Sequence, residues 1–226
     1  MNMDKKTPRF LGAAYLFVAI LSITAGVLSD MTLLSGSISD SLVNITNNLT
    51  QMRISILLEL FTSAGIVVLA VLLFVVLNKQ NKTIALVALG LWLVEAATLA
   101  ISQIGALALI PLSLEYIAAG APDASYYQTL GNLFSGIDRW GWEIHNLFFG
   151  LGGILWYALF YRSKYIPRVL SVWGLVAVSL LFVAMVLGWF DVSVGIFFFL
   201  PTMILELTLG IWLITKGIRD GSETGY

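Results

Sequence analysis

The sequence predicts an all-α, polytopic integral membrane protein with six transmembrane helices. Hydrophobic residues make up 59% of the chain, charged residues only 11%, and the mean hydropathy is +0.93. Because about a quarter of the residues in a typical soluble domain are charged, this composition excludes an ordinary soluble fold. The apolar residues occur in long runs, and a run of about 20 is enough to cross a bilayer as a helix.

Six apolar runs reach this length. They lie at residues 10–28, 54–77, 83–109, 140–161, 169–190 and 192–215. The segments between them are too short to fold separately, so we expect residues 1–226 to form a single membrane domain.

Most basic residues lie on one side of the predicted bundle. They are Lys5, Lys6, Arg9, Lys79, Lys82, Arg162, Lys164, Arg168, Lys216 and Arg219. Only Arg53 and Arg139 lie on the opposite side. The other side receives Asp30, Asp40, Glu115, Asp123, Asp138 and Asp191. The positive-inside rule therefore predicts a multi-pass protein of the plasma (inner) membrane with both termini in the cytoplasm.

Two outer connections are predicted to contain amphipathic helices. Residues 38–52 and the segment from Tyr127 to Ile137 carry apolar side chains at steps of three and four, which is the spacing of one helix face. These residues are Ile38, Leu42, Ile45, Leu49 and Met52 in the first, and Tyr127, Leu130, Phe134 and Ile137 in the second. Such segments act either as membrane-surface anchors or as a lid over an outward-facing cavity.

Aromatic residues are expected at the two membrane interfaces, where their amphipathic rings are most stable. Trp140, Trp142 and Trp189 fall near the predicted outer boundary. Tyr157, Tyr161, Tyr165, Trp173 and Trp212 fall near the inner one. The sequence therefore predicts two aromatic belts.

Four ionisable residues lie inside the predicted spans, where a charge costs roughly 2.5–3.5 kcal/mol even on lenient scales. They are Glu59, Glu95, His145 and Glu206. At about 1.5 Å per residue, Glu59 and His145 are predicted about 10 Å below the outer boundary, and Glu95 and Glu206 about 20 Å below it. Without a basic partner at that depth, the glutamates are expected to be protonated. We predict that the four residues line one acidic pocket that opens outward.

The stretch 140–153 contains the single histidine of the chain. Glu143 lies four residues after Arg139, so these two are predicted to form an ion pair on one helix face. His145 points about 200° away from Glu143 on the same helix. Its expected partners are therefore Glu59 and Glu95 on other helices.

Several kinds of chemistry are disfavoured. The absence of cysteine excludes disulfides and thiolate metal sites. The chain also lacks a basic stripe with interleaved aromatic residues, which disfavours nucleic acid as a partner. The chain has no H-E-x-x-H or G-x-S-x-G sequence, so the sequence predicts no cofactor and favours a protein that is not an enzyme without excluding one. The expected partners are the lipid bilayer and a small molecule or cation.

Three functions remain open on the sequence alone. The first is binding or transport of a proton, a cation or a small lipid-like ligand in the acidic pocket. The second is a structural or regulatory membrane partner without a ligand. The third is an intramembrane metalloenzyme, in which His145 and two or three carboxylates hold a divalent metal ion.

Three short segments resemble a known family. They are residues 5–16 (KKTPRFLGAAYL), residues 163–170 (SKYIPRVL), and Pro201 followed by Glu206 and residues 211–217 (IWLITKG). In this order they resemble an uncharacterised, mainly bacterial family of membrane proteins, domain of unknown function 4386. The resemblance implies a six-helix integral membrane protein and no established reaction, so no catalytic residue carries over from it.

Overall fold

A computed structural model describes residues 6–33, 36–122, 124–190, 192 and 196–219. Lys5, Asp123 and Asp191, which entered the charge-sorting argument, lie outside the described residues. Within these ranges the chain forms seven α-helices, one 3₁₀ helix and no β-strand, which confirms the all-α prediction. The α-helices are α1 (Lys6–Thr32), α2 (Ile38–Asn47), α3 (Leu49–Leu77), α4 (Lys82–Ala118), α5 (Ser125–Ser163), α6 (Arg168–Gly188) and α7 (Leu200–Thr215).

Five helices are long and apolar enough to cross a membrane: α1, α3, α4, α5 and α6. This finding indicates a multi-pass membrane protein. The predicted run at 192–215 is α-helical only from Leu200, after a 3₁₀ turn at Ile196–Phe198. The resulting helix α7 is apolar but has 16 residues, fewer than the other five.

The long helices extend beyond the predicted apolar runs. Helix α4 continues to Ala118, and α5 begins at Ser125 rather than at residue 140. With 39 residues, α5 is about 58 Å long, nearly twice the thickness of the hydrocarbon core. Hydropathy marks only the apolar part of a helix, whereas backbone hydrogen bonding continues through polar turns. The second amphipathic segment is therefore the first part of α5 and not a separate helix.

The first amphipathic segment forms α2, which is shorter than predicted. The side chain of Ser37 caps its start by accepting a hydrogen bond from the Asp40 N–H at 3.1 Å. Leu42 and Ile45 are fully buried, as the spacing of apolar residues predicts. The helix ends before Asn48, whose side-chain nitrogen donates to the Asn44 carbonyl at 3.0 Å.

The described helices contribute to two compact units. The first comprises Met1–Ala19, Ala64–Ala96 and His145–Tyr226, and the second comprises Ile20–Ser63 and Ala97–Ile144. The core of the second unit joins residues of α2, α3, α4 and α5: Leu42, Ile45, Met52, Ile56, Ala106, Leu109, Ile110, Leu112, Tyr116 and Tyr127.

Glycines allow close helix contacts in the first unit. A side chain at Gly12 of α1 would meet the carbonyl oxygen of Gly210 on α7 at 2.7 Å. Gly174 of α6 faces the ring of Tyr157 on α5 with no room for a Cβ atom. Small residues are common where membrane helices approach closely. These contacts hold the helices that carry the polar residues described below.

Candidate functional site

Glu95 and His145 form the centre of a polar site in the first unit. Glu95 lies inside α4 with 2% of its side chain exposed, and His145 lies inside α5 with 13% exposed. The Nδ1 atom of His145 is 3.9 Å from Oε1 of Glu95 and 3.3 Å from the backbone oxygen of Glu95. The two residues therefore lie at the same level. This contact does not fit the predicted difference of about 10 Å in depth between them. How deep the pair lies in the membrane stays a prediction.

The backbone contact determines the role of the imidazole nitrogens. A carbonyl oxygen only accepts hydrogen bonds, so Nδ1 of His145 must carry the proton if it bonds to Glu95. In the neutral ring, Nε2 is then the unprotonated nitrogen and a proton acceptor. The site thus combines a buried carboxyl group with an imidazole base.

Glu206 of α7 is the second carboxyl group of this site. It is half-buried and interacts electrostatically with Glu95 and with two phenols, Tyr15 of α1 and Tyr157 of α5. The contact between Gly12 and Gly210 explains this placement. Tyr15 lies about one turn from Gly12 and Glu206 about one turn from Gly210, so the close contact brings the two side chains together.

Aromatic side chains pack beside the Glu95–His145 pair. The ring of Trp92 stacks on Phe149 with centroids 5.9 Å apart and meets Trp156 edge-on at 6.1 Å. Its indole nitrogen donates to the Phe149 carbonyl at 3.2 Å. Trp92 and Phe149 lie about one turn from Glu95 and His145 on their respective helices, so this cluster gives the acidic site an apolar border.

The described basic residues of the first unit lie at helix ends or in connections. They are Lys6, Arg9, Lys79, Lys82, Arg162, Lys164, Arg168, Lys216 and Arg219. Glu95 and Glu206 lie well inside their helices. This separation agrees with the absence of a lysine or arginine from the middle of the apolar runs.

Glu59 belongs to the second unit. It lies on α3, is half-buried, and interacts electrostatically with the half-buried Asp138 of α5. Asp138 is held near α4, since a Cβ atom at Gly105 would meet the Asp138 nitrogen at 2.8 Å. The expected partnership of Glu59 with His145 stays a prediction.

Arg139 and Glu143 lie close together on the surface of α5. Nε of Arg139 is 4.0 Å from Oε1 of Glu143, and their side chains are 68% and 30% exposed. At this distance and exposure the pair contributes little to stability, about 0–1 kcal/mol. We therefore expect it to be a local ion pair on the surface of α5.

Among the described residues, no group of three or more histidine, cysteine, aspartate or glutamate side chains is arranged to hold a metal ion. The hypothesis of a metalloenzyme therefore has no structural support in this part of the chain.

The sequence does not single out Tyr15 and Tyr157 as site residues. Tyr157 is 2% exposed and interacts electrostatically with Glu206, and its predicted place in an interfacial belt stays a prediction. Tyr15 is 1% exposed. The signal that identifies Tyr15 is its position one turn from Gly12, which has meaning only once the partner glycine on α7 is known.

The helices and the buried polar residues together define a multi-pass membrane protein with an ionisable site inside its first unit. The chain belongs to the family described as Domain of unknown function (DUF4386), whose sequence profile matches residues 10–217. This match confirms the family resemblance found in the sequence. Neither the curated proteins nor the solved structures contain a match to the chain.

Proposed function

We propose that this protein spans the plasma (inner) membrane six times, with both termini in the cytoplasm, and binds and transports protons at Glu95, His145 and Glu206. The observation that carries the proposal is the contact between the buried Glu95 and the single histidine, 3.9 Å apart inside apolar helices. Ionisable residues inside transmembrane helices are costly and mark ion or proton pathways by default.

The sixth span of this proposal is α7. Its 16 residues extend about 24 Å, somewhat less than a typical hydrocarbon core. Leu205, Leu209 and Leu213 are fully buried, whereas Ile204 and Ile211 are exposed. Apolar residues on both the packed and the exposed face support a helix surrounded by protein on one side and lipid on the other.

The chemistry of the site favours a proton over a larger ligand. A neutral carboxyl group donates a proton, and an imidazole with a bare Nε2 accepts one. Glu95 and Glu206 interact electrostatically, and two carboxylates that approach each other favour a state in which one is protonated. A small cation that replaces the proton is the second ligand compatible with these groups.

Infrared difference spectroscopy of the protein in lipid nanodiscs tests this proposal. Across a pH titration we expect carboxylic acid C=O bands, one of which disappears in Glu95→Gln and another in Glu206→Gln. Glu115→Gln is the matched control, because Glu115 lies on the same helix as Glu95 but is exposed. If neither Glu95→Gln nor Glu206→Gln changes the spectrum, the result favours the alternative function as a structural or regulatory partner without a ligand.

A further inference from the structure

The phenol of Tyr15 is a buried polar group beside the proposed proton site, whose ionisable residues are Glu95, His145 and Glu206. The side chain of Tyr15 is 1% exposed, and among the described residues no group meets strict hydrogen-bond geometry with its hydroxyl, although the Tyr157 phenol is close enough to interact with it. Burying a hydroxyl without a hydrogen bond costs free energy, and such groups in native proteins call for an explanation.

Three helices present titratable groups to Tyr15. Glu95 comes from α4, Tyr157 from α5 and Glu206 from α7, and each interacts electrostatically with the Tyr15 phenol. His145 adjoins this group through Glu95. Tyr15 therefore interacts with both carboxyl groups of the proposed site.

The helix packing fixes the position of this phenol. The backbones of α1 and α7 meet at Gly12 and Gly210, where a Cβ atom on Gly210 would lie 2.7 Å from the Leu16 side chain. The ring of Tyr157 packs against the α6 backbone at Gly174. The Tyr157 ring therefore cannot move toward α6 without separating two helices, and Tyr15 lies between Gly12 and Leu16, which both contact α7.

We propose that Tyr15 is the hydroxyl bridge through which a proton passes between Glu206 and Glu95, with Tyr157 as its neighbour. This inference rests on the proposed function, because it assigns a residue to the same proton site. A phenol hydroxyl donates one hydrogen bond and accepts another at the same time, which is the property that a bridge needs.

The transfer is balanced in protons and charge. Because no carboxyl oxygen of the described residues is in hydrogen-bond geometry with the Tyr15 hydroxyl, water carries the proton on both sides of it. The Glu206 carboxyl group gives its proton to a water that passes a proton to the Tyr15 oxygen, while the O–H bond of Tyr15 breaks and its proton passes through a second water to the Glu95 carboxylate. Tyr15 is neutral before and after the step, and Glu206 now carries the negative charge. Each water hydrogen-bonds to Tyr15 and to one carboxyl group, and Tyr157 is a further partner, since a buried water needs two to four polar partners.

The decisive variant is Tyr15→Phe, which removes the hydroxyl and keeps the ring. Tyr116→Phe is the matched control, because Tyr116 is buried at 6% exposure and packs on Tyr127 in the second unit. The first readout is the Glu206 C=O band, which Glu206→Gln identifies by its loss. We expect Tyr15→Phe to shift this band and Tyr116→Phe to leave it in place.

The second readout is proton flux into proteoliposomes that contain a pH-sensitive dye. We expect flux to fall about a hundredfold in Tyr15→Phe, the range of a lost proton-transfer group. A Glu206 band and a flux that both match the wild type in Tyr15→Phe overturn the bridge. If Tyr15→Phe does not fold, Tyr157→Phe tests the same path, because loss of its hydroxyl must also shift the Glu206 band.

The two proposals fail in different ways. If Glu95→Gln abolishes flux while Tyr15→Phe retains it with an unshifted band, only the bridge is wrong. If the wild type has no carboxylic acid band assignable to Glu206, the proton site and the bridge are both wrong.

Discussion

The contacts of Nδ1 in His145 determine which ring nitrogen carries the proton of the neutral imidazole. Nδ1 faces the backbone oxygen of Glu95 at 3.3 Å and its carboxyl oxygen at 3.9 Å. Because the closer contact is to an atom that only accepts, the proton of the neutral ring belongs on Nδ1. The imidazole is thus oriented by the main chain and not by the titrating carboxyl group.

The tautomer of His145 is testable by nitrogen NMR of protein labelled with ¹⁵N-histidine, because the chain contains one histidine. We expect the neutral ring to carry its proton on Nδ1. Glu95→Gln is expected to keep this tautomer, since the backbone acceptor is unchanged. A proton on Nε2 in the wild type contradicts the assignment.

The sequence identified Glu95, His145 and Glu206 as candidate residues because an ionisable group in an apolar helix is rare and costly. It did not identify Tyr15, since tyrosines occur in many places in membrane proteins. It also did not show that His145 and Glu95 are in contact, because hydropathy does not tell which helix faces which. The ionisable residues of the site could therefore be predicted from the sequence, whereas the residues that they contact depend on how the helices pack.

At the scale of the helices, glycines govern how closely the elements of the first unit approach. Gly174 of α6 lies against the ring of Tyr157, and Gly152 of α5 lies against the ring of Trp92. Both aromatic residues are almost fully buried. A methyl group at either glycine requires a helix or a buried ring to move.

Gly174→Ala is expected to lower the free energy of unfolding by about 1–3 kcal/mol, the range for overpacking a core. The control is Gly90→Ala on α4, where an added Cβ meets nothing within 4 Å. There we expect a neutral effect or a gain of about 0.5–1 kcal/mol, because alanine favours a helix over glycine. Thermal unfolding in detergent compares the two variants, and equal effects contradict the packing described here.

The helices themselves were largely predictable, but their ends were not. Apolar runs indicated the five long helices, and the spacing of Leu42 and Ile45 indicated the buried face of α2. The end of α2 coincides with a hydrogen bond from the Asn48 side chain to the Asn44 carbonyl. Such local contacts leave no trace in hydropathy, and the same is true of the polar first turns of α5.

For the whole molecule, the distribution of basic residues predicts which connections face the cytoplasm. Gln80 lies between α3 and α4, and Ala119 lies between α4 and α5. The charge sorting places them on opposite sides of the membrane. This orientation is part of the proposal and is independent of the chemistry at Glu95.

The orientation is testable with single cysteines, because the natural chain has none. In intact cells a membrane-impermeant maleimide is expected to label Ala119→Cys and to label Gln80→Cys only after permeabilisation. A reporter fused to the C-terminus is expected on the same side as Gln80, which requires α7 to cross the membrane. Labelling of Gln80→Cys in intact cells contradicts the orientation.

Proton flux tests the central proposal most directly. Purified protein is reconstituted into proteoliposomes with a pH-sensitive dye inside, and a membrane potential is imposed. We predict that the wild type and the exposed control Glu115→Gln carry the same flux, and that Glu95→Gln lowers it about a hundredfold or more. Wild-type flux no greater than that of empty liposomes, or flux unchanged in Glu95→Gln, contradicts proton transport at this site.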